Sequence, residues 1–243
     1  MRNMGRYLEE FDKLKFEDIQ SFYRKKKFFE IIDPLQDIKS VIEIGCGESS
    51  VFEFKQWKRN VLVEPEFEFI NRLSGRTNID NIYISNSFLE NFKGNDTFDL
   101  VVVSCLLHEI PNKNNFMKAV WGIMNEGGLL YIDVPNALSI HRYLAVSSKH
   151  LDNLFSTTET SKKMQQADTV FFPQGFSDFL TTRGFIIVDI GTNFVKFFHH
   201  ARMADILATG NLGKKELDAF YDMQKDFPEN GSEIWCLAKK PDD

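Results

Sequence analysis

Cysteine is scarce: Cys46, Cys105 and Cys236 are the three in 243 residues. Their number is odd and no C-x-x-C spacing occurs, which argues against a disulfide framework or a zinc knuckle and makes a reducing cytoplasm the default location. Long apolar runs are lacking too. Val101 to Leu107 is far too short to span a bilayer, which needs about 20 residues. Met1 to Leu14 carries Arg2, Arg6, Glu9, Glu10 and Asp12 and no apolar stretch, so no secretory leader is expected. There is no excess of positive charge: 29 Lys and Arg face 35 Asp and Glu, for a net charge of −6. A general nucleic-acid partner is therefore not expected. The one dense basic run, Arg24-Lys25-Lys26-Lys27, reads as a solvated helix face rather than an anionic-ligand patch. Histidine is rare as well, so five residues must supply any imidazole chemistry.

What is present describes a globular chain. Apolar residues make up 43% and charged residues 26%, which rules out disorder as the main state. The 28.2 kDa mass fits one large domain with modest insertions. Of 33 aromatics, 24 are Phe. Residues 1 to 33 read as helical, and Pro34 closes them. Short strands are expected at Ser40 to Ile44, Asn60 to Val63, Asn81 to Ile84 and Phe98 to Ser104. A short helix is expected over residues 50 to 58. A helix from Lys113 to Met124 should stop at Asn125-Glu126-Gly127-Gly128 and lead into a strand, Leu129 to Val134. After a helix at Gly175 to Thr182 come a strand at Phe185 to Ile190 and a last one at Ile234 to Ala238. That last strand lacks a firm crossover helix and so suits antiparallel pairing. Fully apolar strands alternating with helices mean an α/β, doubly wound sheet covered on both faces. The expected organisation is an N-terminal helical lid segment over residues 1–37 and a ligand-binding domain over 38–243. Helical insertions are expected near 137–172 and 201–226.

The first strand runs straight into Glu43-Ile44-Gly45-Cys46-Gly47-Glu48-Ser49-Ser50. Glycines permit a tight turn and close backbone approach to a ligand. Ligands bind such sheets outside the carboxyl ends of the strands. The second strand ends in Val63-Glu64-Pro65, and Glu64 lies 17 residues after Gly47. At that spacing an acid can accept both ribose hydroxyls of an adenosine-type ligand. A dinucleotide fingerprint would place Gly at position 50, but Ser50 stands there, which weakens pyrophosphate binding at a helix start.

These residues resemble the class I S-adenosylmethionine-dependent methyltransferases, over roughly residues 38 to 239. The family's acid-x-Gly-x-Gly motif stands here as Glu43-Ile44-Gly45-Cys46-Gly47, with Ser49 in place of the usual third glycine. The resemblance implies a Rossmann-like, seven-stranded sheet, mostly parallel with an antiparallel last strand. It implies S-adenosyl-L-methionine as donor and S-adenosyl-L-homocysteine as product. Glu43 would then hold the cationic amino end of the donor, directly or through water, and Glu64 with Pro65 the ribose. Asn86, Ser87 and Phe88 would face the adenine, with Asn86 where the family carries Asp. Ser104 ends the fourth strand beside the donor. Val134-Pro135-Asn136-Ala137 with His141-Arg142, and Gly191 to Phe198, are similar to small methyltransferases of bacterial surface-polysaccharide synthesis. That resemblance implies a small-molecule acceptor, nucleotide-linked or glycan-related, such as a capsule precursor. Two other readings use the same sheet: a nicotinamide-dependent oxidoreductase, and a non-catalytic protein that binds the nucleoside.

Methyl transfer to an alcohol gains from a general base, typically ~10²–10⁴-fold. His108 follows strand four and is the first candidate, with packing on the adenine or capping of the next helix as its plainer role. Glu109 is the neighbouring alternative, although adjacent residues rarely point into one site. His141 is the reserve, and Arg142 beside it could hold an anionic acceptor bidentately. His199 and His200, close to Lys196, are a weaker acceptor-side option. Cys105 reads better as a buried inert thiol than as a nucleophile. The Asn/Asp-Pro-Pro-aromatic motif of common amine methyltransferases is absent, since Ser104-Cys105-Leu106-Leu107 occupies its place. A His-Glu-x-x-His zinc site fails at Asn112, and Asp133 stands alone where a magnesium site needs clustered carboxylates, so no metal is expected. Phenylalanines of the N-terminal helices and of the region around strand six are expected to close over the donor and exclude water.

Overall fold

The apolar runs at the centre of the fold form strands that bury both faces. The computed structural model, which describes residues 4–164, 166 and 169–242, arranges them in one seven-stranded sheet. The strands are β1 (Ser40–Ile44), β2 (Arg59–Val63), β3 (Ile82–Ser85), β4 (Phe98–Val103), β5 (Met124–Pro135), β6 (Ile186–Asn193) and β7 (Glu233–Lys239). Their order across the sheet is β3-β2-β1-β4-β5-β7-β6. β1 pairs in parallel with both β2 and β4, so the chain reverses its winding at the glycine turn. β7 runs antiparallel between β5 and β6, as its missing crossover suggested.

Alternation along the strands fills two layers. Ile42, Ile44, Val101 and Val103 face one layer with Phe116 and Phe176. Those two rings come from α4 (Lys113–Gly122) and α7 (Pro173–Thr181). Val41, Leu100 and Val102 face the other layer with Phe28 and Ile32. These come from α2 (Glu17–Ile32), which follows the short α1 (Met4–Phe11); Leu73 of α3 (Phe67–Ser74) packs in the same layer. Each such side chain, once buried, contributes about 1.5–3 kcal/mol. A third cluster joins Phe16 and Tyr23 to Phe194, Met203 and Tyr221. It is completed by α8 (His200–Ala208) and α9 (Lys214–Asp222). Ten of the 24 phenylalanines are buried; among them Phe28 meets Tyr131 edge-on and Phe194 stacks with Tyr23 at 4.7 Å.

Several boundaries differ from the sequence reading. The helix expected over residues 50–58 is a single 3-10 turn, Val51–Glu53. Asn60 stops it by accepting from the Trp57 amide at 2.7 Å and donating to the Trp57 carbonyl at 3.0 Å. β5 begins at Met124, five residues before its expected start, because Met124 already pairs with Phe98 ahead of a bulge. A Cβ at Gly128 would lie 2.8 Å from the Asn125 carbonyl, so glycine permits that bulge. Among its described residues, the insertion at 137–172 contains α5 (Ile140–Ser147), α6 (Glu159–Lys163) and connecting loops. Residues 165, 167 and 168 of that insertion, and residues 1–3 of the expected lid, lie outside the described residues. The basic run is not a solvated face: Arg24 is 6% exposed and Lys25 is also buried. Gln20, Arg24, Phe28 and Ile32 recur at four-residue spacing, which turns them all toward the sheet.

Candidate active site

A cleft of about 1620 Å³ runs along the carboxyl ends of β1, β2, β4 and β5. At one end lies the glycine turn. Gly45 and Gly47 have φ of 72° and 53°, a region that favours glycine. A Cβ on Gly45 would meet Leu106 at 2.9 Å, whereas one on Gly47 would meet only the Phe11 ring, at 3.8 Å. The backbone of Gly47 is thus open to the cleft. Glu64 stands beside it, 3% exposed, accepting from the Glu66 amide at 2.8 Å and the Gly47 amide at 3.3 Å. Burial pushes its carboxyl up to about 7, against the pull of those amides. Pro65, Ser87 and Phe88 line the same end.

Three of the residues expected at the donor, Glu43, Ser49 and Asn86, are not among those that line the cleft. Glu43 is 1% exposed and accepts from the Ser50 hydroxyl and, at 3.2 Å, from the Val51 amide. Its carboxylate thus holds the turn from behind. Ser49 does not line the cleft either, and its amide closes a turn on the Cys46 carbonyl at 3.2 Å. Asn86 donates to the carbonyls of Glu64 and Pro65 at 2.9 and 3.0 Å, clamping the loop rather than lining the cleft. Ser104 does line the cleft, but its hydroxyl donates to Asp133 at 2.9 Å.

The candidate bases gather on the other side. His108 and Glu109 share the 3-10 turn Leu107–Glu109, and both line the cleft. His108 Nε2 lies 3.8 Å from Glu109 Oε1. Glu109 also accepts from Tyr7 at 3.3 Å and Gln166 at 2.5 Å. His141 lines the cleft, and burial with the nearby charges of Lys196 and Arg142 holds its imidazole well below the usual value. Arg142 is spent on structure, donating to the carbonyls of Leu154 and Ser156 at 2.8 and 2.6 Å. Burial pushes the Cys105 thiol well up, which removes the thiolate a nucleophile needs. Among the described residues, no group of three or more His, Cys, Asp or Glu is arranged to hold a metal ion.

The floor of the cleft holds charges that the sequence reading left unassigned. Arg24 reaches from α2 to Glu233 on β7, with Nε 3.1 Å from both carboxylate oxygens. It also donates to Glu17 at 3.1 Å and lies 3.6 Å from Asp133. Lys196 is buried beside them, with Nζ 3.1 Å from Gln20 Oε1. The four-residue spacing of Arg24 with Phe28 was the one sequence signal of this burial.

Sheet order, glycine turn and strand-two acid together define a class I S-adenosylmethionine-dependent methyltransferase. Residues 16–184 match the methyltransferase domain family, and the chain belongs to it. Solved structures share the fold at low identity. A methyltransferase of Thermotoga maritima, described as a possible histamine N-methyltransferase, is 15% identical with a TM-score of 0.63 over 97% of this chain and 96% of that one. A Mesorhizobium loti S-adenosylmethionine-dependent methyltransferase is 13% identical, with a TM-score of 0.57 over 85% and 94%. The plantazolicin methyltransferase BamL, solved with a desmethyl-plantazolicin analogue and S-adenosylhomocysteine, is 13% identical, with a TM-score of 0.56 over 98% and 89%. No curated protein matches the sequence. The residues present fit the donor: Gly47 leaves backbone open to the cleft, and Glu64 offers a buried acceptor for ribose hydroxyls. No helix among the described residues is long and apolar enough to cross a membrane.

Proposed function

We propose that the protein transfers a methyl group from S-adenosylmethionine to an oxygen of a small acceptor, anionic or glycan-related, such as a surface-polysaccharide precursor. The observation that carries the reading is that His108 lines the same cleft as Gly47 and Glu64. When bound, the donor supplies an electrophilic methyl carbon on a cationic sulfur. Gly45, Gly47, Glu64, Pro65, Ser87 and Phe88 hold it in this reading. His108 takes the proton of the acceptor hydroxyl as its oxygen bonds the methyl carbon and the carbon–sulfur bond breaks. Glu109 is a positioning residue beside His108. Ser104-Cys105-Leu106-Leu107, in place of the amine-specific motif, supports oxygen over nitrogen. The cytoplasmic placement expected from the cysteines goes with this reading.

Calorimetry with S-adenosylhomocysteine and with NAD tests the donor; binding of NAD alone would overturn the reading. An acceptor screen over nucleotide-activated sugars and capsule precursors, read as released S-adenosylhomocysteine, tests the acceptor. His108→Ala should lower turnover by about 10²–10⁴-fold while S-adenosylhomocysteine affinity stays within about twofold. Undiminished turnover would remove His108 as the base.

A further inference from the structure

One wall of the cleft carries donors that the bound nucleoside does not explain. Lys196, which follows β6, lines the cleft although it is only 4% exposed. Its ammonium has three donors, and Gln20 Oε1 takes one. The nearby carboxylates are engaged by other groups. Glu233 gives both oxygens to Arg24, and Glu17 accepts from Arg24 and lies 3.8 Å from His200 Nδ1. On the facing helix α5, the buried Nδ1 of His141 has no hydrogen-bond partner among the described residues. The first turn of α8 completes the wall. Its N-cap, His199, makes no side-chain cap, and His200, Ala201 and Arg202 line the cleft. A helix start presents unpaired amides and the positive end of the helix dipole. Phe16 backs the wall, with its ring centroid 5.9 Å from Lys196 Nζ and 5.7 Å from the His200 ring.

We propose that this wall binds an anionic oxygen group of the acceptor, a carboxylate or a phosphate. Lys196 supplies the charge, and His141 and the first turn of α8 supply further donors. Calling the ligand an acceptor rests on the methyltransferase reading; the anion site itself does not. The role first given to Arg142 thus passes to Lys196, because the guanidinium is tied to two carbonyls.

The groups around Lys196 are Glu17, Gln20 and Arg24 of α2, His141 of α5, Glu233 of β7, His200 of α8 and Cys105, with Asp133 of β5 behind Arg24 at 3.6 Å. Burial lowers the Lys196 ammonium to about 8, opposed by Glu233 and Glu17. His141 and His200 are held well below the usual imidazole value, so both stay neutral donors near neutrality. Anion binding should therefore be present below about pH 8 and fade above it.

The test uses the whole chain, titrated separately with inorganic phosphate and with acetate while the imidazole signals of His141 and His200 are followed by NMR. One of the two anions should move both signals along a saturating curve, and which one does so identifies phosphate or carboxylate. Lys196→Met should weaken that binding at least about tenfold, and Lys196→Arg should largely preserve it. Should Lys196→Met fail to fold, the native protein decides. Moving from about pH 6.5 to about pH 9.5 should abolish binding even though phosphate gains charge. Unsaturated shifts with both anions, or affinity that survives Lys196→Met or the high pH, overturn the proposal. S-adenosylhomocysteine calorimetry on the same sample keeps the two readings separable, since its failure overturns the donor assignment alone.

Discussion

Two glutamates of similar promise in the sequence have different surroundings in the fold. On β1, Ile42 and Ile44 face one layer, so Val41 and Glu43 face the other, toward α2. Glu43 there meets Ser50 and Val51, and the Lys25 charge draws its carboxyl down while burial pushes it up to about 7. Glu64 lies just past the end of its strand, where the chain is free to present its carboxylate to the cleft. The raised Glu43 value has a stability consequence. The folded state keeps this proton to higher pH than the unfolded chain, whose value is near 4.5. Stabilisation from that proton is complete below about 4.5 and is lost as pH rises through about 7. Glu43→Gln has no charge to bury, so its stability relative to the native protein should rise by about 2 kcal/mol between about pH 5 and pH 8. Thermal melts at the two pH values check this, and a difference independent of pH would contradict it. The motif spacing thus identified the acid nearest the cleft, but strand alternation decided where the other one pointed.

At the scale of elements, the N-terminal segment divides into two parts with different work. α2 belongs to the core: Phe28 and Ile32 are buried against the sheet, and Arg24 reaches the cleft floor. α1 instead spans the cleft, from the glycine turn to Glu109. Phe11 packs edge-on against Phe69 at 5.2 Å, Tyr7 donates to Glu109, and Asp12 pairs with Arg72 at 2.8 Å. The lid role proposed for the first 37 residues therefore narrows to α1 and the turn after it. Deleting residues 1–12 should weaken S-adenosylhomocysteine binding about tenfold, read by calorimetry. The melting temperature should fall by only about 2–4 °C per kcal/mol lost. Unchanged affinity and turnover would argue against a lid. Deleting through residue 32 should instead prevent folding, because it strips one face of the sheet. Helical spacing revealed that these residues are helical; it did not reveal which helix the sheet would cover.

Across the whole molecule, the Arg24–Glu233 pair joins the second helix to the last strand, across a sequence separation of 209 residues. A buried ion pair contributes little net stability when intact, but breaking it leaves a charge without compensation. Arg24→Leu should cost about 3–5 kcal/mol in urea unfolding, and adding Glu233→Leu should recover part of that loss. A cost below about 1 kcal/mol would mean that water reaches the site. Acting alone, the sequence determined what depends on short windows of chain: strands from apolar runs, the turn from Gly45 and Gly47, the acid closing strand two, and the family. These follow from backbone geometry and from side-chain periods of a few residues. The tertiary structure decided which charges share the cleft floor and which phenylalanines fill the core. The desolvation and Coulomb energies that select those partners arise only when remote segments are buried together.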